Sequence, residues 1–433
     1  MKKNNDTGHE TIVVIGGGFA GLNFVKKIDK RKYRIILLDR NNYHSFPPLF
    51  YQVVSAGIDP SGISFPLRRE LRKRSMRKGV AFNMTRAREI DTDSHLVITD
   101  DETIHYDKLV IAAGTTNNFF NMPELVDTVY TLKSTAEAIR CRNDILDRLE
   151  RASIETDPEK RRALLSFVVI GGGPTGVEVA GALGEMKRYV LEREYPQIMQ
   201  DEVSITLIEG SDRVLRTMSE RSSSEAAGYL KSLMVNVVLG HNMKNYTGSK
   251  VTLDNDRVVE ASMVIWTAGV KGVDFKFTND TVRSGRGNRL EVDEHCRVKG
   301  VDDVYALGDI ALMTTPDYPA GHPQLAQVAI QQAKMVAKDL NKGVAKEGFR
   351  YKDKGTMATV GRNRAVVDLK HVHFKGWFAW ITWMAIHLLS LLGMRNKVSV
   401  FLDWVWSYFT YSSSTRLLMH PCKYPLRKRW QKE

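Results

Sequence analysis

Ile12-Val13-Val14-Ile15-Gly16-Gly17-Gly18-Phe19-Ala20-Gly21 and Phe167-Val168-Val169-Ile170-Gly171-Gly172-Gly173-Pro174-Thr175-Gly176 are one pattern written twice in this chain. Each copy is a short apolar run of buried-strand character, then G-x-G-x-x-G, then helix-forming sequence. A single match of this kind is weak. Two matches, each between a strand-like run and a helix, point to two dinucleotide sites on doubly wound α/β units. Gly16 and Gly171 permit the tight turn. Gly18 and Gly173 let the backbone approach a pyrophosphate, and Gly21 and Gly176 let helix and strand pack closely. The pyrophosphate then meets the free N–H groups and the dipole of the helix N-terminus.

Both copies carry an acid at the end of a second apolar strand. Arg34-Ile35-Ile36-Leu37-Leu38 leads to Asp39, and Ser204-Ile205-Thr206-Leu207-Ile208 leads to Glu209. A carboxylate there accepts hydrogen bonds from ribose hydroxyls and repels a 2′-phosphate, which favours NAD(H) over NADP(H) at the second site. Glu209 lies further from its glycines than the usual ~20 residues, so the intervening helix over 177–195 must be long.

The echo continues downstream. Tyr106-Asp107-Lys108-Leu109-Val110-Ile111-Ala112-Ala113-Gly114 resembles Ala261-Ser262-Met263-Val264-Ile265-Trp266-Thr267-Ala268-Gly269, and a hairpin-like stretch precedes each. Each unit therefore reads as a doubly wound sheet with an antiparallel flap and a returning strand. Val304-Tyr305-Ala306-Leu307-Gly308-Asp309 is a further short strand with no fingerprint before it, and it is expected to complete the first sheet. The second unit then interrupts the first. Glu155–Arg162 and Ser284–Asn288 are the expected seams. The resulting division is 1–125 and 285–345 for the first unit, 126–284 for the second, and 346–433 for a C-terminal region.

At 433 residues the chain has room for two or three domains. Its net charge of +13 suits an acidic partner, either nucleic acid or an anionic membrane surface. No nucleic-acid motif or aromatic platform accompanies the basic run Arg68–Lys78, so nucleic acid is not expected. That run reads either as a lipid-headgroup contact or as a solvated helix face. Cys141, Cys296 and Cys422 are far apart, which argues against a dithiol mechanism and a metal site. The polar start of the chain has no signal-peptide character, so the globular part is expected in the cytoplasm.

From about residue 370 the character changes. Phe374–Gly393 is apolar on nearly all sides, interrupted by Thr382, His387 and Ser390. Val398–Leu418 is aromatic-rich, with Asp403 and Arg416 as polar partners. The basic tail Lys423, Arg427, Lys428, Arg429 and Lys432 follows. Five of the seven tryptophans fall on these two segments. Aromatic amphipathic helices beside basic residues suit an in-plane membrane anchor. A buried dimer interface is the other reading, and the two are compatible on different faces.

Together these residues resemble the pyridine-nucleotide:flavin oxidoreductases, and within them the type II NADH dehydrogenases, single-subunit NADH:quinone oxidoreductases. His44–Val53 resembles the segment lining the flavin and quinone cavity. Gly173-Pro174-Thr175-Gly176-Val177-Glu178 resembles the NADH-binding turn, and Ala326-Gln327-Val328-Ala329-Ile330-Gln331 matches the quinone-site A-Q-x-A-x-Q pattern. The resemblance implies FAD on Gly16, Gly18, Phe19, Ala20, Gly21, Asp39, Arg40, Ala113, Gly114, Asp309 and Gln327. It implies NADH on Gly171, Gly173, Pro174, Thr175, Gly176, Glu178, Glu209, Ala268 and Gly269. The implied reaction is hydride transfer from NADH to FAD, then two electrons to a quinone (menaquinone or ubiquinone), without proton pumping, at the cytoplasmic face of the inner membrane. Gln327, Gln331 and Glu178 are the implied catalytic groups. Gln327 and Gln331 share one helix face and are otherwise ordinary surface residues. Glu178 orients NADH or relays a proton, unless it merely complements the helix dipole. Asp309 contacts the ribityl–phosphate part of FAD, caps a helix after Gly308, or does both. A homodimer is expected.

Two alternatives differ in chemistry. A sulfide:quinone oxidoreductase needs paired redox cysteines, which the sparse cysteines oppose. A redox-switched flavoprotein binding module is opposed by the apolar C-terminus.

Overall fold

The apolar runs before each glycine turn become central strands of two parallel sheets. The computed structural model describes residues 9–72, 79–345, 347–410 and 415–418. Most of the N-terminal segment, Lys73–Lys78 of the basic run, Cys422, Trp430 and the basic tail lie outside the described residues.

Strand β1 (Glu10–Ile15) delivers the chain to Gly16. Helix α1 (Phe19–Lys27) follows, and β2 (Tyr33–Asp39) runs parallel to β1 with Ile12 opposite Ile35. After α2 (Phe50–Val54) and α3 (Leu67–Leu71), β3 (Val80–Met84) adds beside β2. The antiparallel flap over 87–105 precedes β4 (Lys108–Ile111), which returns beside β1. A short strand, β5 (Thr115–Asn117), and a long helix, α4 (Thr135–Ile154), lead to the second unit. There β6 (Ser166–Ile170), α5 (Pro174–Glu185), β7 (Ser204–Glu209), α6 (Glu220–Ser232), β8 (Asn236–Leu239) and β9 (Met263–Trp266) form a parallel sheet ordered β8-β7-β6-β9. Its own flap spans 243–260. The chain comes back through β10 (Val270–Gly272), antiparallel to β5, and β11 (Val304–Ala306) pairs with β4. The first sheet is therefore ordered β11-β4-β1-β2-β3. Ile12, Val13, Val14, Val168 and Val169 are fully buried, as both-face coverage of a parallel sheet demands.

Between the two sheets runs the β5 and β10 ribbon, with Thr115 opposite Gly272. Glu155–Asp157 only link α4 to a helix over Pro158–Leu164 that runs into β6. Ser284–Gly285 pairs with Arg289–Leu290 as a hairpin whose turn holds Gly287 and Asn288 at positive φ. The expectation at Asp309 needs correction: no α-helix begins after Gly308. Gly308–Ile310 is a single 3-10 turn followed by the short strand Ala311–Leu312.

The second fingerprint helix is long, as its spacing requires. Beyond Glu185, α5 continues through a π-helical turn, Met186–Val190, and a last α turn, Leu191–Glu194. Helix α7 (Ala326–Lys342) follows β11 and packs against the core of the first sheet. Next comes a three-stranded antiparallel sheet, β12 (Thr356–Thr359), β13 (Ala365–Asp368) and β14 (His373–Lys375). It docks on α5 at Gly181, where a Cβ would stand 3.1 Å from the Gly361 nitrogen.

Helices α8 (Trp377–Ser390) and α9 (Met394–Thr410) close the described chain. The polar interruptions of α8 are internally satisfied. Thr382, His387 and Ser390 each reach the carbonyl four residues back, at 2.8, 2.7 and 2.7 Å. Among the described residues no helix is long and apolar enough to cross a membrane. Trp383, Val400 and Trp404 face the core, while Phe378, Leu389, Leu402, Trp406 and Phe409 are exposed. Arginines cap the far end of α9. Arg362 donates to the Tyr408 carbonyl (3.1 Å), and Arg193 donates to that of Thr410 (2.6 Å).

Candidate functional site

The two glycine turns are built alike. Gly16 has φ +104° and Gly171 φ +106°. A Cβ on Gly16 would lie 2.4 Å from the Ala112 carbonyl oxygen, and on Gly171 2.7 Å from the Ala268 Cα. Ala113 and Ala268, at the ends of the returning strands, thus close against the first glycine of each turn. Gly21 and Gly176 abut the carbonyl oxygens of Gly16 and Gly171, where a Cβ would be 1.9 and 1.8 Å away. Gly18 and Gly173 face open space, with nothing within 4 Å of a built Cβ, and neither helix start has a side-chain cap. A cradle of free N–H groups, open where a Cβ would intrude, fits a dinucleotide pyrophosphate in both units.

The middle glycines have a reason too. Asp39 Oδ2 accepts from the Gly17 N–H at 2.6 Å, and Glu209 Oε2 accepts from the Gly172 N–H. A Cβ on Gly172 would lie 2.9 Å from the Glu209 side chain. Asn41 holds the other Asp39 oxygen, and Ser211 the other Glu209 oxygen, through its N–H (2.8 Å) and hydroxyl (2.7 Å). Burial raises the Asp39 carboxyl above its ordinary value, against the Asn41 and Gly17 hydrogen bonds. The predicted ribose acids therefore also fasten the glycine turns. Arg40, Pro174 and Thr175 are exposed at the two turns, Ala20 is buried in the first turn of α1, and Gly114 (φ +67°) is open beside Ala113. Gly269 packs against Phe120.

Phe19, on the first turn of α1, begins a line of rings. It meets His44 and Phe46 edge-on (5.4 and 5.7 Å). Phe46 meets His387 of α8 (6.0 Å), which stacks on Trp383 at 3.8 Å. Burial lowers His387 to about 4, so its ring is neutral near pH 7.

Glu178 is buried where α5, α2 and β12 meet. Burial pushes its carboxyl up to about 8, and the Thr359 N–H opposes this only in part. Glu178 is therefore a neutral, proton-bearing acid at neutral pH. From it a chain of groups leads outward. Tyr51 OH is 2.9 Å from Thr359 Oγ1, Gln52 Nε2 donates to Tyr51 OH (3.0 Å), and Trp404 of α9 donates to Gln52 Oε1 (2.7 Å). Thr359 was not singled out in the sequence, and Trp404 was read only as one of the tryptophans of the C-terminal segment; the bond that gives each a place here comes from a partner far along the chain. Tyr51 and Gln52 lay inside the quoted 44–53 segment without a role.

Gln327 and Gln331 do share a face of α7, and both amides are engaged. Gln327 accepts from Lys354 N–H (3.1 Å) and donates to the Gly355 carbonyl (3.2 Å). Gln331 accepts from Lys352 N–H (3.0 Å) and donates to the Lys352 carbonyl (2.9 Å). The pair clamps the segment that enters β12. Gln332, on the buried face, accepts from the Gly308 N–H and fixes the Asp309 turn. Burial raises the Asp309 carboxyl, opposed by the nearby Lys133 and Arg289 cations. Lys133 itself donates to Thr115 Oγ1 (2.8 Å) at the ribbon between the sheets.

Cys141 and Cys296 are buried, and burial raises both thiols. Neither is a thiolate available for sulfide chemistry.

Comparisons with known proteins agree with this geometry. Residues 10–333 match the pyridine nucleotide-disulphide oxidoreductase family, and residues 354–411 match the NDH2 C-terminal domain. The chain is 33% identical over 417 residues to the type II NADH:quinone oxidoreductase Ndh of Mycobacterium tuberculosis, covering 92% of this chain and 88% of that protein. The structure of NDH2 from Plasmodium falciparum in complex with NADH superimposes with a TM-score of 0.87 at 22% identity, over 95% of this chain and all of that one. The sulfide:quinone oxidoreductase of Aquifex aeolicus shares the fold at a TM-score of 0.71 and 18% identity, over 96% of this chain and 97% of that one.

Proposed function

Because the chain belongs to the type II NADH dehydrogenases of the pyridine-nucleotide:flavin oxidoreductases, we propose that it oxidises NADH and reduces a quinone at a membrane surface. It is an FAD-dependent NADH:quinone oxidoreductase and does not pump protons. FAD, when bound, supplies the redox chemistry, taking a hydride from NADH and releasing two electrons to menaquinone or ubiquinone.

The first cradle, Gly16 to Gly21 with Asp39, Ala113, Gly114 and Asp309, is assigned to FAD. The second, Gly171 to Gly176 with Glu209, Ala268 and Gly269, is assigned to NADH. Glu209 sits where a 2′-phosphate would meet a carboxylate, which disfavours NADPH. The observation that carries the reading is Glu178. It rides on the NADH-unit helix, is held protonated by burial, and is linked through Thr359 to Tyr51 in the segment beside the first cradle. Glu178 holds a proton at its carboxyl for the quinone, and the Thr359 backbone N–H, beside the Thr359 hydroxyl that meets Tyr51, positions that carboxyl. Gln52 and Trp404 keep Tyr51 in place. Gln327 is assigned to a quinone carbonyl on the A-Q-x-A-x-Q pattern, its amide lying beside Lys354 and Gly355 at the entry to β12. Gln331 holds the wall of that site.

The exposed apolar face of α8 and α9 is assigned to the lipid interface, parallel to the membrane plane at its cytoplasmic side. Faces turned from lipid supply a homodimer contact.

Anaerobic stopped-flow absorbance tests the reading. NADH should bleach the flavin band rapidly, and a menaquinone or ubiquinone analogue should restore it. Bleaching without recovery would leave the NADH site standing and overturn the quinone assignment.

A further inference from the structure

Five cations from two distant parts of the sequence gather beside the turn that joins α8 to α9. Arg68, Arg69 and Arg72 lie on and just after α3, which belongs to the first dinucleotide unit. Arg395 and Lys397 lie on the first turn of α9. Several contacts hold these two places together. The Arg69 guanidinium lies over the Phe65 ring (5.7 Å), and that ring fills the space beside Gly393, where a Cβ would be 2.2 Å away. Asn396 donates to the Ser61 and Ser64 carbonyls (3.1 and 3.2 Å), tying α9 to the segment just before α3. Leu392 packs into the same core as Leu67 and Leu71.

Lys397 donates to the Leu389 carbonyl (2.6 Å) and the Arg68 guanidinium lies over the Phe82 ring (4.9 Å), but among the described residues no acid neutralises the cluster. Arg68, Arg69, Arg72 and Arg395 are exposed, and among the described residues none of them, nor Lys397, has an acidic partner within ion-pair distance. The one acid of α3, Glu70, is turned inward and paired with Lys26 at 2.8 Å. Between and beside the cations stand exposed apolar groups: Leu389 at the end of α8, and Met394 and Val398 on α9, with Leu389 and Met394 about three-quarters exposed. This patch is continuous with the apolar face already assigned to lipid. Unpaired guanidinium groups around an apolar wedge match a layer of anionic phosphate headgroups over acyl chains.

We propose that α3 and the start of α9 form one anionic-phospholipid clamp, so that the first dinucleotide unit itself touches the membrane and sets a preference for negatively charged headgroups. This rests on the membrane reading above and adds the headgroup class and the residues that select it. The flavin unit is thereby held at a fixed orientation to the bilayer, because α3 packs directly on its sheet.

The test is co-sedimentation of the full-length holoenzyme with vesicles of phosphatidylcholine alone and with about one quarter phosphatidylglycerol. The variants are Arg69→Gln/Arg72→Gln/Arg395→Gln and the charge-conserving Arg69→Lys/Arg72→Lys/Arg395→Lys. FAD content and NADH oxidation with a soluble acceptor check that each is folded. At about fivefold per cation, the wild type should bind the anionic vesicles about a hundredfold more tightly than the Gln variant, while the Lys variant stays near wild type. Binding to neutral vesicles should be the same for all three. A wild type that binds both vesicles equally overturns the clamp but leaves the membrane reading intact. Binding to neither overturns the membrane reading itself. A Gln variant that keeps the anionic preference assigns it elsewhere and overturns the clamp. A change in sedimentation coefficient of the Gln variant without vesicles, with its lipid preference unaltered, assigns the patch to a second copy of the chain and likewise overturns it.

Discussion

Replacing Glu178 with Gln tests whether burial holds that carboxyl protonated. In the folded protein the group titrates near 8, against an ordinary value of 4.5. The sign follows from proton binding. Between those two values the folded chain keeps a proton that the unfolded chain has lost, so stability falls as pH rises through this window and is level above it. Gln keeps the shape and never ionises. Relative to the variant, the wild type loses stability throughout this window, and the gap widens by about 3 kcal/mol between pH ~5.5 and pH ~8.5. For 433 residues, with an unfolding entropy near 2.1 cal/mol/K per residue, this is a widening of about 3–4 °C in Tm. The assay is a pair of thermal scans of each holoenzyme at the two pH values, at one scan rate. Other buried acids, Glu185 and Asp309 among them, titrate alike in both proteins and cancel in the difference. Reoxidation by quinone should show the same group: the wild-type rate falls above pH ~8, and the variant is slow at every pH. Equal pH dependence of Tm in the two proteins would refute the burial argument. Retained Tm behaviour with an unaltered rate profile would refute the proton role alone.

The glycine turns separate folding from binding. Gly21→Ala forces a Cβ onto the Gly16 carbonyl and should cost several kcal/mol, about 3 or more, read as loss of soluble flavoprotein. Gly18→Ala meets nothing in the protein, so the chain should fold while FAD retention drops sharply, read by absorbance of the purified protein. Glu209→Gln should narrow the NADH-over-NADPH ratio of kcat/KM by about tenfold or more through loss of like-charge repulsion, and an unchanged ratio would mean that another residue reads the ribose. Phe378→Ser/Phe409→Ser, at two exposed sites, should weaken vesicle binding without changing NADH oxidation by a soluble acceptor. His387, neutral down to about pH 4, favours the folded state most fully above its ordinary value of 6.5. That advantage, about 3 kcal/mol, should disappear between pH ~6.5 and ~4 and be absent from His387→Gln.

How much of this was legible in the sequence depends on how far each cause lies from its effect. The glycine turns were readable because a strand, six residues and a helix start determine them locally. Gly16 and Gly171 agree to within a few degrees of φ in two sheets that share no strands. The return of Val304–Ala306 to the first sheet was readable because a short, fully apolar strand has nowhere else to be buried. The β5 and β10 ribbon was invisible, since Thr115–Asn117 and Val270–Gly272 have meaning only as a pair. The Asp309 turn misled for a related reason. Gly-Asp after a strand suits a helix start, yet Gln332, a turn and a half into α7, holds the Gly308 N–H and fixes a 3-10 turn instead.

The site follows the same rule. Glu178, Tyr51, Thr359 and Trp404 come from four separate stretches of sequence, and each alone is an ordinary residue for its element. What sets Glu178 apart from an ordinary helix-start carboxylate is burial, which raises its carboxyl. That burial is supplied by α2 from one side and by β12 from the other, while Gly181 gives the C-terminal sheet the close approach to α5 that it needs. Helices α8 and α9 are therefore not an appendage to the two dinucleotide units. Through Trp404 and Gln52, and through the Arg362 bonds between Glu185 on α5 and the last turn of α9, they brace the wall that keeps Glu178 dry.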